Sequence, residues 1–177
     1  MSTSWSALGV PERIVAGLLA RDITSPFPVQ AATLPDALQG HDICGKAPTG
    51  SGKTLAFGIA LALKVEKSKP GRPQGLVLVP TRELAAQVAK EVSMLCSGSD
   101  IRVAAVYGGA GYGPQVKAAR AASIVVATPG RLEDLIKRRD LWPTWVSCLP
   151  LNGLCVRYQK AARHCCFRRR LMVMLMH

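Results

Sequence analysis

A chain of 177 residues is long enough for one domain with a true hydrophobic core. An apolar content of 49%, with only 5% aromatic residues, fits an aliphatic α/β interior and excludes a disordered chain. The formal net charge of +12 points to an anionic partner, but it is unevenly spread: residues 1–149 carry 17 basic and 11 acidic side chains, whereas residues 150–177 carry 6 basic and none acidic.

Taken in order, residues 11–20 have the apolar spacing of an amphipathic helix, with Pro11 placed for its first turn. Two prolines stiffen the next stretch, Ile23 to Gln30, which reads as a rigid loop. A short helix is expected over about 31–38, closed by Gly40 as a C-terminal glycine. Ile43 and Cys44 then form a short apolar run that reads as a strand.

That run leads into Ala47-Pro48-Thr49-Gly50-Ser51-Gly52-Lys53-Thr54 and on to a helix-forming segment, Leu55 to Lys64. Strand, Gly-rich loop and helix are the setting that a phosphate-binding loop needs. Gly50 and Gly52 let the backbone curl so that successive N–H groups point inward at an anion. The helix N-terminus adds partial positive charge where phosphates sit. Lys53 can reach the β- and γ-phosphates, and the Thr54 hydroxyl can ligate Mg²⁺. An ordinary Gly-rich turn ending in Lys-Thr is the alternative, and the general motif opens on glycine where this chain has Ala47. Motif and context nevertheless agree on a nucleoside triphosphate.

Residues 67–74 form a polar connector. Leu76 to Val79 is an unbroken apolar run, as in a strand buried on both faces of a parallel sheet. It stops at Pro80-Thr81-Arg82-Glu83, where Thr81 can cap a helix that continues through Cys96. Residues 102–106 make the next strand, ended by Tyr107-Gly108-Gly109, and residues 115–121 the next helix. A fourth strand, 123–127, closes on Thr128-Pro129-Gly130-Arg131 before a helix over 132–139, with Glu133 and Asp134 read as acids at its N-terminus. Strands alternating with helices imply βαβ units and a mostly parallel sheet. Each candidate loop follows the carboxyl end of a strand, where ligands bind in such sheets. Glycine also marks ordinary strand ends, so for Gly108-Gly109 alone both readings stand. A row of helix N-termini along one sheet edge can hold a nucleic-acid backbone.

These residues together resemble the first RecA-like domain of a DEAD-box RNA helicase. Pro26 to Gln30 (PFPVQ) is similar to the family's Q motif, which implies that Gln30 reads the adenine edge. Trp5 stands roughly where the family places an upstream aromatic that supports adenine. Ala47 to Thr54 (APTGSGKT) matches the family's own phosphate loop, which begins with alanine, and implies ATP and Mg²⁺ as cofactors. Pro80 to Leu84 (PTREL), Gly108-Gly109 and Thr128 to Arg131 (TPGR) match three backbone-binding motifs. The resemblance thus places Pro80, Thr81, Arg82, Glu83, Gly108, Gly109, Thr128, Pro129, Gly130 and Arg131 on RNA. Thr81, Arg82, Thr128 and Arg131 would contact phosphates and sugars, with little sequence preference. The match runs from Trp5 to Leu149 and is closest in character to bacterial members. It divides the chain into a partial RecA-like ATP-binding domain, 1–149, and a basic Cys/Met-rich tail, 150–177. The implied fold is a P-loop NTPase sheet flanked by helices and incomplete at its C-terminal end. Duplex unwinding is the activity implied for the full-length protein.

The family continues with a strand ending in Asp-Glu-Ala-Asp, a Ser-Ala-Thr motif and a second RecA-like domain. Here Val146 to Leu149 starts like the acidic motif's strand, but the chain goes on as Pro150-Leu151-Asn152-Gly153 and has no Asp or Glu after Asp140. A frame-shifted or truncated product is the expected explanation, with a genuine basic extension as the alternative. Hydrolysis needs a carboxylate to hold Mg²⁺ and an oriented water, so the expectation for this chain is nucleotide and RNA binding without turnover. The strands after the break would lie beside the Ile43 strand in the family's sheet, so a marginally stable, aggregation-prone chain is expected. The six cysteines form no Cys-x-x-Cys pair, and a metal site from Cys155, His164, Cys165 and Cys166 fits no usual ligand spacing. Free thiols and the lack of a visible signal peptide imply the cytoplasm. No apolar run reaches the roughly 20 residues that span a bilayer, so no membrane partner is expected.

Overall fold

The computed structural model describes residues 4–141, so the expectations for the tail lie outside the described residues. The described residues divide into two compact units, the first formed by residues 4–64 with Lys90–Asp100, and the second by Val65–Ala89 with residues 101–141.

In the first unit, a 3₁₀ turn at Ser6–Leu8 precedes helix α1 (Glu12–Leu19), which buries Ile14 and Leu18. Helix α2 (Pro28–Gln39) packs on helix α3 (Lys53–Lys64). Leu55 through Ala62 of α3 are all buried, so this helix is apolar around its whole circumference. Gly58 lets Leu95 approach it closely: a Cβ there would stand 2.7 Å from Leu95 Cδ1. The Arg21 guanidinium meets the Glu91 carboxylate with two hydrogen bonds, at 2.8 and 2.9 Å.

The second unit holds a three-stranded parallel sheet in the order β1-β3-β2, from β1 (Gly75–Leu78), β2 (Val103–Val106) and β3 (Ile124–Ala127). Helices α5 (Tyr112–Ala121) and α6 (Pro129–Lys137) cover one face, where Leu76, Leu78, Ala104, Val106, Val125 and Ala127 meet Ala119, Leu132, Leu135 and Ile136. Burying an aliphatic side chain is worth about 1.5–3 kcal/mol, so this cluster is the main source of the unit's cohesion. Helix α4 (Arg82–Leu95) begins in this unit, and Thr81 Oγ1 accepts from Leu84 N at 3.2 Å, the cap that its sequence implies.

Five expectations are corrected. Residues 23–30 are not all loop, because Pro28 opens α2 as its first residue and Gln30 Oε1 accepts from Phe27 N at 2.7 Å, closing the first turn. Likewise α6 starts at Pro129 rather than residue 132. Glu133 therefore lies beyond the first turn and pairs with Lys137 at 3.4 Å, one turn on, instead of serving the helix N-terminus. Helix α5 begins at Tyr112, three residues before the expected start. Finally, residues 41–48 form no strand, and Asp42, Cys44, Gly45 and Lys46 are exposed. A strand exists only by pairing, and among the described residues the ladders join β1, β2 and β3 alone, so this short run has no strand partner.

Candidate phosphate-binding loop and nucleic-acid interface

The first unit contains the candidate phosphate loop, residues 47–54. Gly50 and Gly52 have φ of +80° and +81°, the left-handed conformation that glycine adopts without steric penalty. Helix α3 follows directly, so the N–H groups of Lys53 and Thr54 open a helix and have no acceptor within it. Lys53 Nζ donates to the carbonyls of Ala47 (2.6 Å) and Pro48 (2.8 Å), holding the ammonium across the loop mouth. The Ser51 hydroxyl oxygen is buried and has no hydrogen-bond partner. Left-handed glycines, an unsatisfied hydroxyl and a captive ammonium are the donor set that an anionic phosphate chain satisfies. Thr54, the residue expected to ligate Mg²⁺, is half-buried beside them. Among the described residues no cluster of three or more His, Cys, Asp or Glu stands ready to hold a metal.

Gln30 joins this loop. It is fully buried, its Oε1 accepts from Phe27 N, and its Nε2 donates to Gly52 O at 3.0 Å. Trp5 is 2% exposed, and its indole N–H donates to Ile23 O at 3.2 Å, which ties the N-terminal segment to the stretch that leads into α2. The structure therefore brings Gln30 against the phosphate loop and places Trp5 behind the segment that carries it. A cleft of about 220 Å³ lies elsewhere in this unit, lined by Arg13, Ile14, Gly17, Leu18, Met94 and Leu95 among others; none of the phosphate-loop residues borders it.

The second unit gathers the other three motifs at the carboxyl ends of its parallel strands. Ladder bonds run past the strands, Val79 N to Ala127 O and Thr128 N to Val106 O, both at 3.0 Å, and set the three loops side by side. Pro80 to Glu83, Gly108, Gly109, Pro129 and Gly130 are exposed there, while Thr128 and Arg131 are half-buried. Gly109 has φ of +83°, and a Cβ on it would stand 3.6 Å from Arg82 Nη1, so the glycine turn and Arg82 share one surface. The Arg82 guanidinium hydrogen-bonds Glu83, which raises the pKa of the arginine and pulls the Glu83 carboxyl below its usual value. Arg131 reaches the turn as well: Nη1 and Nη2 donate to Ala110 O at 3.3 Å, and Nη1 to Gln115 Oε1 at 3.1 Å.

Sequence reasoning missed Gln115, Tyr112 and Asp140. Gln115 brackets the Tyr107 backbone, accepting from its N–H (3.0 Å) and donating to its C=O (3.1 Å). The Tyr112 ring lies 4.7 Å from the Arg138 guanidinium carbon and 5.5 Å from that of Arg131, and its hydroxyl donates to Asp140 at 2.8 Å. The only available signal was a polar Gln115 at a position where α5 must turn inward.

A family model described as DEAD/DEAH box helicase matches residues 27–149. Over 140 residues the chain is 45% identical to DEAD-box ATP-dependent RNA helicase 9 of Oryza sativa subsp. japonica, covering 76% of this chain and 22% of that protein. It is 40% identical over 151 residues to the ATP-dependent RNA helicase CshA of Listeria monocytogenes, covering 85% and 29%. Among solved structures, a DEAD box protein from the hyperthermophile Methanococcus jannaschii aligns with a TM-score of 0.73 and 36% identity, over 78% of this chain and 38% of that one. A hypothetical ATP-dependent RNA helicase from Sulfolobus tokodaii aligns with a TM-score of 0.66 and 40% identity, over 73% and 37%. The parallel sheet flanked by helices is thus the RecA-like architecture of these proteins. The chain spans less than a third of the length of these two curated relatives.

Proposed function

The chain belongs to the DEAD/DEAH box helicase family, and from that premise we propose that it is the nucleotide-binding part of an ATP-dependent RNA helicase. Residues 47–54 hold the ATP phosphates, with Lys53 as the main counter-charge and Thr54 as the residue that would hold Mg²⁺. Gln30 reads adenine from the first turn of α2, supported from behind by Trp5. The observation that carries this reading is the bond from Gln30 to Gly52, which joins the base-reading amide to the phosphate loop. RNA lies by its backbone along Pro80–Glu83, Gly108-Gly109 and Thr128–Arg131, with exposed backbone and Arg82 supplying donors and little sequence preference. The bound metal would supply charge neutralisation at the β- and γ-phosphates. This chain has no carboxylate after Asp140 to orient water, so by itself it binds without turnover. The exposed Cys44 and buried Cys96, both free thiols, suit a reducing cytoplasmic setting. Among the described residues no helix is long and apolar enough to cross a membrane.

The test is equilibrium titration with fluorescent ATP and ADP. Lys53→Ala is expected to remove most of the affinity, and Gln30→Ala to narrow the preference for adenine over guanine nucleotides. Equal binding by the native chain and Lys53→Ala would sink the assignment. RNA-stimulated phosphate release above the Lys53→Ala background would show that this chain does turn over.

A further inference from the structure

Gln115 belongs to none of the motifs above, yet it is 9% exposed and makes three hydrogen bonds within the RNA-facing edge. We infer that Gln115 is a positioning residue, which locks the Gly108-Gly109 turn and Arg131 into one anion-facing surface and controls RNA affinity through Arg131. The inference rests on the RNA reading proposed above.

An amide is the side chain that presents a donor and an acceptor in one plane, and here the two match the C=O and N–H of a single residue, Tyr107. Strand β2 ends one residue earlier, at Val106, so Gln115 does for Tyr107 what a neighbouring strand would do. The second lone pair of Gln115 Oε1 takes Arg131 Nη1. Arg131 in turn holds Ala110 O, at the far end of the turn, so the turn is held at both ends by two side chains that also hold each other. Tyr112 backs the arrangement, with its ring beside Arg131 and Arg138 and its hydroxyl anchored on Asp140. Of the five N–H donors on Arg131, three interactions engage two of the nitrogens, and Nε keeps a donor with no acceptor among the described residues. A guanidinium fixed in this way presents its remaining donors in one orientation, which is what a phosphate contact requires. Without Gln115 the arginine would lose its lateral support, and the Tyr107 amide would face outward unpaired.

The experiment uses the whole 177-residue chain and a fluorescein-labelled single-stranded oligouridine, with anisotropy titrations repeated across a salt series. Arg131→Ala is expected to weaken binding about tenfold and to lower the slope of log affinity against log salt by about 0.7, the value for one phosphate contact on a single strand. Gln115→Leu removes no charge, yet it is expected to lower the slope by the same amount. The double variant is expected to match Arg131→Ala alone, because both changes remove one contact. An unchanged slope in Gln115→Leu, or losses that add in full in the double variant, would overturn the inference. Hydrogen exchange supplies a readout independent of RNA: Gln115→Leu is expected to speed exchange at Tyr107 to Ala110 while β3 stays protected. If the native chain melts cooperatively but binds no oligouridine, the RNA reading fails. The positioning role then stands or falls on that exchange alone, with unchanged rates at Tyr107 overturning it.

Discussion

Gly50 and Gly52 share a loop, a neighbourhood in sequence and nearly the same left-handed φ, but they differ in what surrounds them. A Cβ on Gly50 meets nothing within 4 Å, whereas on Gly52 it would overlap Gln30 Nε2 and stand 2.8 Å from Phe27 Cδ2. Replacing either glycine by alanine costs about 1–2 kcal/mol for the left-handed backbone alone. Phe27 is half-exposed and can swing aside, but Gln30 is fully buried with both ends of its amide engaged. Displacing it forfeits two hydrogen bonds worth about 1 kcal/mol each and strands a buried polar group, at about 1–3 kcal/mol. Gly52→Ala is therefore expected to lose about 3–5 kcal/mol more than Gly50→Ala. Urea denaturation at 15 °C, followed by far-ultraviolet circular dichroism, measures the difference directly. In a Gln30→Ala background the clash disappears, and Gly52→Ala should then cost no more than Gly50→Ala. Equal losses for the two glycine variants in the native background would refute the packing of Gln30 against the phosphate loop.

Burial pushes the Cys96 thiol up to about 11 from an ordinary 9.0, with Arg13 opposing it weakly. The unfolded thiol ionises first as pH rises, so the folded state loses stability between about pH 9 and 11, by about 2 kcal/mol at pH 10.5. Cys96→Ala should lack that component when urea midpoints at pH 8 and 10.5 are compared with the native chain. At pH 8 the exposed Cys44 should be alkylated by iodoacetamide well before Cys96, which peptide mapping by mass spectrometry reads directly. Amides at residues 42–46 should exchange within seconds to minutes, while Ile124 to Ala127, paired on both sides, should be the slowest in the chain. Protection at 42–46 equal to that of β3 would show that this segment does pair as a strand. Gly58→Ala should destabilise the first unit, because Leu95 Cδ1 must move from its contact with α3.

Local chemistry was enough to make the architecture and the site loops legible from the sequence. The apolar runs at 76–79 and 123–127 read as buried strands, Gly40 ends α2 with φ of +90°, and Thr81 caps α4, because each follows from a few neighbouring residues. The phosphate loop is legible for the same reason: its glycines, lysine and threonine act within eight consecutive positions. What the sequence did not disclose depends on distant partners. Whether Ile43 and Cys44 become a strand is decided by whether another strand stands beside them, which no local propensity settles. Gln30 serves two elements at once, closing the first turn of α2 and gripping Gly52, 22 positions away. Arg131, expected from the resemblance to contact RNA phosphates and sugars, is also tied to Ala110 and Gln115 because the parallel ladder brings the carboxyl ends of β2 and β3 together. A hydrogen bond needs both partners placed to within a few tenths of an ångström, and only the folded backbone sets that distance between residues remote in sequence.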